Sequence, residues 1–171
     1  MTPTPDLLEA LQANLAILRE VGLRYNAAGG NTTSDARIMD SPEAVAALNS
    51  DMQELVQEQL RVILLRTKQT VIDVVTVYQG TVNAASTRSA EILRPAILAN
   101  APGIIVVHNH PSGDASPSSA DLAVTRKLLQ AAKVMDIQVF DHVVVARGAE
   151  PLSMARRGLA GFDDPLLRFS T

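Results

Sequence analysis

The chain has 171 residues and a mass of 18.2 kDa, with 47% hydrophobic residues, 19% charged residues and no cysteine. That supplies a core for one compact domain and excludes a disordered chain, a disulfide framework, a thiolate nucleophile and Cys-based metal sites. A net charge of −3, no apolar run near the roughly 18–20 residues of a membrane span and no basic-then-apolar leader set the default expectation: a soluble cytoplasmic protein without direct nucleic-acid or membrane contact.

Leu7, Leu8, Leu11, Leu15, Leu18 and Val21 recur at helical spacing and predict an amphipathic helix over 6–21. Residues 26–40 are small and polar, as in a linker. We therefore divide the chain into an N-terminal helix and linker, 1–40, and a principal domain, 41–171. The N-terminal helix could serve a homodimer or simply cover a sheet, and the sequence leaves both open. Ser41-Pro42 reads as a cap and first turn, starting a helix to about Leu48. A second is expected from Asp51 to Glu58.

From Leu60 the pattern turns to strands. Residues 60–66 and 71–78 are β-rich runs separated by Thr67-Lys68-Gln69-Thr70, a hairpin signal, and Gly80–Ala84 is expected to extend it. Residues 88–99 read as a helix bent near Pro95. Ile104-Ile105-Val106-Val107 is short, β-branched and wholly apolar, as a central strand requires. A helix over 119–134, with Leu122, Leu128, Leu129 and Ala132 inward, and a strand over 137–146 complete a mixed α/β reading. The tail after Gly158 carries no clear signal. Tyr78 and Phe140 read as core.

The chemistry concentrates in His108-Asn109-His110-Pro111-Ser112-Gly113 and Pro117-Ser118-Ser119-Ala120-Asp121. Side chains at i and i+2 of a strand share a face, so His108 and His110 point the same way. Pro111 and Gly113 turn the chain, and Ser118 caps the next helix with Asp121 in its first turn. That carboxylate can swing back to the strand end as a third ligand. Two imidazoles and one carboxylate leave a position open on zinc, the catalytic pattern. The plainer reading of Ser118 and Asp121 is a capping box, and that of an isolated His-x-His pair is surface histidines. Asn109 and Ser112 are expected to shape the loop, Asp114 to be a solvated turn residue rather than one approaching the metal, and His142 to be a buried, hydrogen-bonded structural histidine rather than one supporting a ligand from behind.

The stretch HNHPSGDASPSSAD matches the JAMM metal motif, H-x-H-P-x(6)-P-S-x-x-D, and resembles the RadC-type branch of the JAB/MPN superfamily, whose hallmark is H-N-H-P-S-G. The resemblance runs from about Ser41 to Leu159. It implies a JAB/MPN, cytidine-deaminase-like α+β fold: a mixed sheet flanked by helices. It also implies one Zn²⁺ per chain held by His108, His110 and Asp121, with Ser118 steadying an oxyanion. An upstream acid should orient and deprotonate the attacking water. Glu58, just before the first strand, is preferred for that role, and Glu91 competes. Their plainer readings are an exposed helix-end charge and a carboxylate at a helix N-terminus. The family's usual N-terminal helix-hairpin-helix DNA-binding module is not recognisable here, which weakens any nucleic-acid role.

The leading expectation is a zinc metallohydrolase, a protease cleaving peptide or isopeptide bonds in a peptide or protein substrate, ubiquitin-like proteins included. The alternatives are a DNA-repair-associated nucleic-acid-processing protein of the RadC type and a non-catalytic MPN interaction module.

Overall fold

A computed structural model of the chain describes residues 39–80 and 87–167. The helix expected over 6–21 and residues 81–84 of the strand extension lie outside these residues. The elements are α1 (Pro42–Leu48), a 3₁₀ turn (Ser50–Glu54), β1 (Gln59–Leu65), β2 (Val71–Gln79), α2 (Ser89–Leu98), β3 (Gly103–His110), α3 (Ser119–Val134), β4 (Gln138–Ala146) and β5 (Leu152–Ser153). The strands form one mixed sheet in the order β2-β1-β3-β4-β5. β1 pairs antiparallel with both β2 and β3, whereas β3 and β4 run parallel and are joined through α3. This is the expected α+β architecture, a sheet with helices against it.

β3 is central because its residues allow it. Gly103 to Asn109 are all buried, and a strand covered on both faces must be continuously apolar until a site interrupts it. Its even-numbered residues Ile104 and Val106 share a core with Leu60, Val62 and Leu64 of β1, Ile92 and Leu93 of α2, and Val124, Leu128 and Leu129 of α3. The odd-numbered Ile105 and Val107 pack with Val45 and Ala46 of α1, Met52 of the 3₁₀ turn, and Val143 and Val145 of β4. The sheet therefore sits between two cores, with α2 and α3 on one face and α1 and the 3₁₀ turn on the other. Gly103 is required at the start of β3, since a Cβ there would collide with the Phe140 ring.

Ser41 caps α1 by accepting the Ala44 N–H at 3.1 Å, with Pro42 at the first helical position. The helix expected over 51–58 is shorter, a 3₁₀ turn that stops at Glu54 because Leu55 is already extended (φ −73°, ψ 136°). Pro95 lies inside α2, where it removes one bond of the helical ladder. The tail that carried no signal packs back: Ala160 is buried, and Phe162 and Leu167 lie against the core.

Candidate metal centre

The site forms where β3 emerges from beneath α3. The strand is still paired at its end, His108 opposite Leu60 of β1 and His110 opposite Ala146 of β4. Strand alternation sends both rings to the α3 side of the sheet. Pro111 and Gly113 then turn the chain, Gly113 in the left-handed region at φ +86°. Ser118 starts α3 with a reciprocal capping box: its side chain accepts the Asp121 N–H, and its own N–H donates to Asp121 Oδ2 at 2.7 Å. The Ser118 hydroxyl also donates to Oδ2, at 2.5 Å. The cap thus aims the carboxylate at the two histidines, so capping and ligand-forming roles coincide in the same residues.

His108, His110 and Asp121 offer three ligand atoms that all lie within 4.8 Å of one another. The Nε2 atoms of the two histidines are 2.9 Å apart. Each is 3.5 Å from a different oxygen of Asp121: His108 from Oδ1 and His110 from Oδ2. The other nitrogens are occupied. His110 Nδ1 lies 2.8 Å from the Asp114 carbonyl, and His108 Nδ1 lies 2.7 Å from Nε2 of His142. A carbonyl can only accept, so His110 carries a proton on Nδ1, and it is Nε2 that faces His108 and Asp121. The three side chains could hold a metal ion, and the donor set suits zinc, which takes imidazole nitrogen and carboxylate oxygen.

The electrostatics agree with that geometry. Burial alone would raise the Asp121 pKa, but hydrogen bonding with His108 and His110, the charge of His108 and the Ser118 hydroxyl hold it far below the usual carboxylate range. His110 is shifted upward, chiefly by its hydrogen bond with Asp121, against the effect of burial; the charge of Glu58 adds in the same upward direction. His142, 1% exposed, is held well below the ordinary imidazole pKa by burial and by the neighbouring His108, so it is neutral.

Glu58 is therefore on the side of the site where His110 feels its charge. Its backbone is held from both directions. Asn109, whose side chain points to the opposite sheet face from the histidines, accepts the Gln59 N–H at 2.7 Å and donates to the Gln57 carbonyl at 3.1 Å. The Glu58 carbonyl accepts the Gly80 N–H at 2.8 Å. Asn109, expected to shape its own loop, instead clamps the start of β1. Glu91 sits in the first turn of α2 with its carboxylate on the Tyr78 hydroxyl, which also accepts the Arg88 N–H at 2.9 Å. Ser112 makes one long contact, accepting the Asp114 N–H at 3.4 Å.

Of two residues beside the site, His142 is buried and hydrogen-bonded as expected, and Thr125 was not singled out by sequence reasoning. His142, read as structural, contacts His108 directly, and Thr125 bonds His142 in turn, Oγ1 to Nδ1 2.6 Å. Their signal was positional. His142 lies on the strand parallel to the motif strand, and Thr125 lies one helical turn beyond Asp121 on the same face.

Fold and cluster together define a mixed-sheet domain of the JAB kind with a His-His-Asp group that could hold a metal ion. A sequence profile of the RadC-like JAB domain matches residues 39–159, and the chain belongs to that family. It is 44% identical over 153 residues to a UPF0758 protein of Roseiflexus castenholzii, covering 89% of this chain and 64% of the relative. It is 47% identical over 124 residues to a UPF0758 protein of Chloroflexus aggregans, covering 72% and 53%. A UPF0758 protein of Aromatoleum aromaticum is 38% identical over 156 residues, covering 91% and 68%. The chain thus spans 64% and 53% of the length of the first two of these curated relatives. No helix among the described residues is long and apolar enough to cross a membrane.

Proposed function

We propose that the chain is a zinc-dependent hydrolase of peptide or isopeptide bonds, acting on a peptide or protein substrate. The observation that carries this reading is the convergence of His108, His110 and Asp121 at a strand end, with the charge of Glu58 acting on the same cluster. Bound there, zinc supplies Lewis acidity, lowering the pKa of water toward about 7 and polarising a carbonyl. Hydrolysis then needs a group that takes a proton from the attacking water and returns it to the departing nitrogen.

Glu58 is assigned that transfer. Its main chain is fixed by Asn109 on either side and by Gly80, so the carboxylate is carried on a rigid support, as a general base requires. The charge of Glu58 acts on His110, whereas the Glu91 carboxylate sits on the Tyr78 hydroxyl. Ser118, whose hydroxyl rests on Asp121, is assigned to the oxyanion. Its single proton must leave Asp121 Oδ2 to serve there.

The test is Glu58→Gln, assayed for zinc content and for cleavage of a peptide and isopeptide substrate panel beside the parent. The expected result is full zinc with turnover reduced by about 10²–10⁴-fold, the usual worth of general acid–base catalysis. Normal turnover by Glu58→Gln would move the assignment to Glu91. A parent that holds zinc but cleaves no peptide or isopeptide bond would contradict the proposed activity.

A further inference from the structure

A buried chain of hydrogen bonds runs behind the candidate metal ligands. His108 Nδ1 is 2.7 Å from His142 Nε2, His142 Nδ1 is 2.6 Å from Thr125 Oγ1, and Thr125 Oγ1 donates to the Asp121 carbonyl at 2.7 Å. His108, His142 and Thr125 are each no more than 1% exposed. The chain therefore starts on one candidate ligand and ends on the main chain of another, closed off from water.

We propose that Thr125 and His142 are positioning residues that set which nitrogen of His108 faces the metal. This inference rests on the metal-binding part of the reading above, not on the reaction. Direction follows from the end of the chain. A carbonyl has no proton, so the one hydroxyl proton of Thr125 is committed to the Asp121 carbonyl. Thr125 Oγ1 can then only accept, and His142 must carry its proton on Nδ1. With its proton on Nδ1, His142 presents Nε2 as an acceptor, 2.7 Å from His108 Nδ1. His108 must donate to it from Nδ1, so in a neutral His108 the lone pair is on Nε2. That is the atom 2.9 Å from Nε2 of His110 and 3.5 Å from Asp121 Oδ1.

The opposite tautomer is what the relay prevents. A neutral His108 with its proton on Nε2 would fill the space between the ligands and turn a lone pair toward His142 Nε2, two acceptors 2.7 Å apart. The relay thus makes one tautomer of His108 compatible with the buried site. It also couples the ring to the carbonyl of Asp121, so strand β3 and helix α3 present their ligands in fixed relation. Outer hydrogen bonds of this kind orient ligand rings, and losing one typically costs 10–100-fold in metal affinity.

The decisive variant is Thr125→Val, which keeps the β-branched shape and removes the hydroxyl, with Thr125→Ser restoring it. Two readouts separate positioning from mere stability. The first is zinc affinity by chelator competition, with the absorption spectrum of the Co²⁺-substituted protein. The second is long-range ¹H–¹⁵N correlation of the imidazoles in the metal-free protein. In the parent we expect His108 and His142 both protonated on Nδ1. Thr125→Val should lose about 10- to 100-fold in zinc affinity with an altered Co²⁺ spectrum, and Thr125→Ser should recover both.

A folded Thr125→Val protein with the parent's affinity and spectrum would overturn the proposal while leaving the metal site intact. So would a parent His108 protonated on Nε2. A parent that binds neither zinc nor Co²⁺ overturns the metal reading itself, and this inference with it.

Discussion

Two carboxylates on opposite sides of β4 show how the same group becomes a fastener in one place and a ligand in another. Asp141 accepts the His142 N–H at 2.7 Å, the Ala155 N–H at 3.0 Å and the Ser153 hydroxyl at 2.5 Å. Its donors are neutral, mostly main-chain, and they tie the short edge strand β5 to β4. Burial pushes its pKa up, with those hydrogen bonds opposing. Asp121 is also buried, yet it faces two imidazoles, and its pKa moves strongly down. A carboxylate saturated by amides and a hydroxyl is finished as structure. One turned toward ring nitrogens that approach each other to 2.9 Å retains the capacity to bind a cation. The lesson is that the identity of the donors, more than burial, separates site from scaffold.

The comparison can be broken at its functional end first. His108→Ala should abolish hydrolysis altogether, since two remaining side chains do not hold a catalytic zinc in fixed geometry; retained turnover in a peptide-cleavage assay would remove the metal from the mechanism. The structural end gives a smaller effect of a different kind. Asp141→Ala strips acceptors from three donors and should destabilise the fold by about 1–3 kcal/mol, read as a lower midpoint in denaturant, while the zinc content stays near that of the parent. Loss of zinc at full stability would put Asp141 in the site instead.

The smallest effect sharpens the contrast through pH. Asp121 raises the His110 pKa by hydrogen bonding, against burial. In metal-free protein that pairing contributes stability fully present below the unfolded-state value of ~6.5 and lost as pH rises through the higher folded-state value. Zinc requires the same nitrogen without its proton. The rise in Tm on adding saturating zinc should therefore be larger at pH 8 than at pH 6. Equal rises at the two pH values would mean that His110 is not a ligand.

Much of this was legible in the sequence because it is local. The helix over 119–134, the hairpin of β1 and β2 and the apolar run of β3 follow from periodicity and turn chemistry within a few residues. The candidate ligand triad was legible because the motif spacing encodes a strand, a turn and a helix cap in one stretch. What escaped notice depends on distant partners. Asn109 reaches Gln57 and Gln59 across 50 or more residues, and His142 meets His108 across 34; no periodicity reports such pairs. The helix expected to reach Glu58 stops at Glu54 because the following segment is committed to that clamp and to β1. Strand β5 has two residues, too few to carry an alternating pattern; it pairs with β4, and its Ser153 is bonded to Asp141.

Elemental analysis of purified protein decides whether His108, His110 and Asp121 form a metal site. Parent, Asp121→Ala and Asp141→Ala should be supplied with zinc, freed of excess and measured together. We predict about one zinc per chain in the parent and in Asp141→Ala, and almost none in Asp121→Ala. A parent without zinc, or an Asp121→Ala protein that keeps it, would contradict the account.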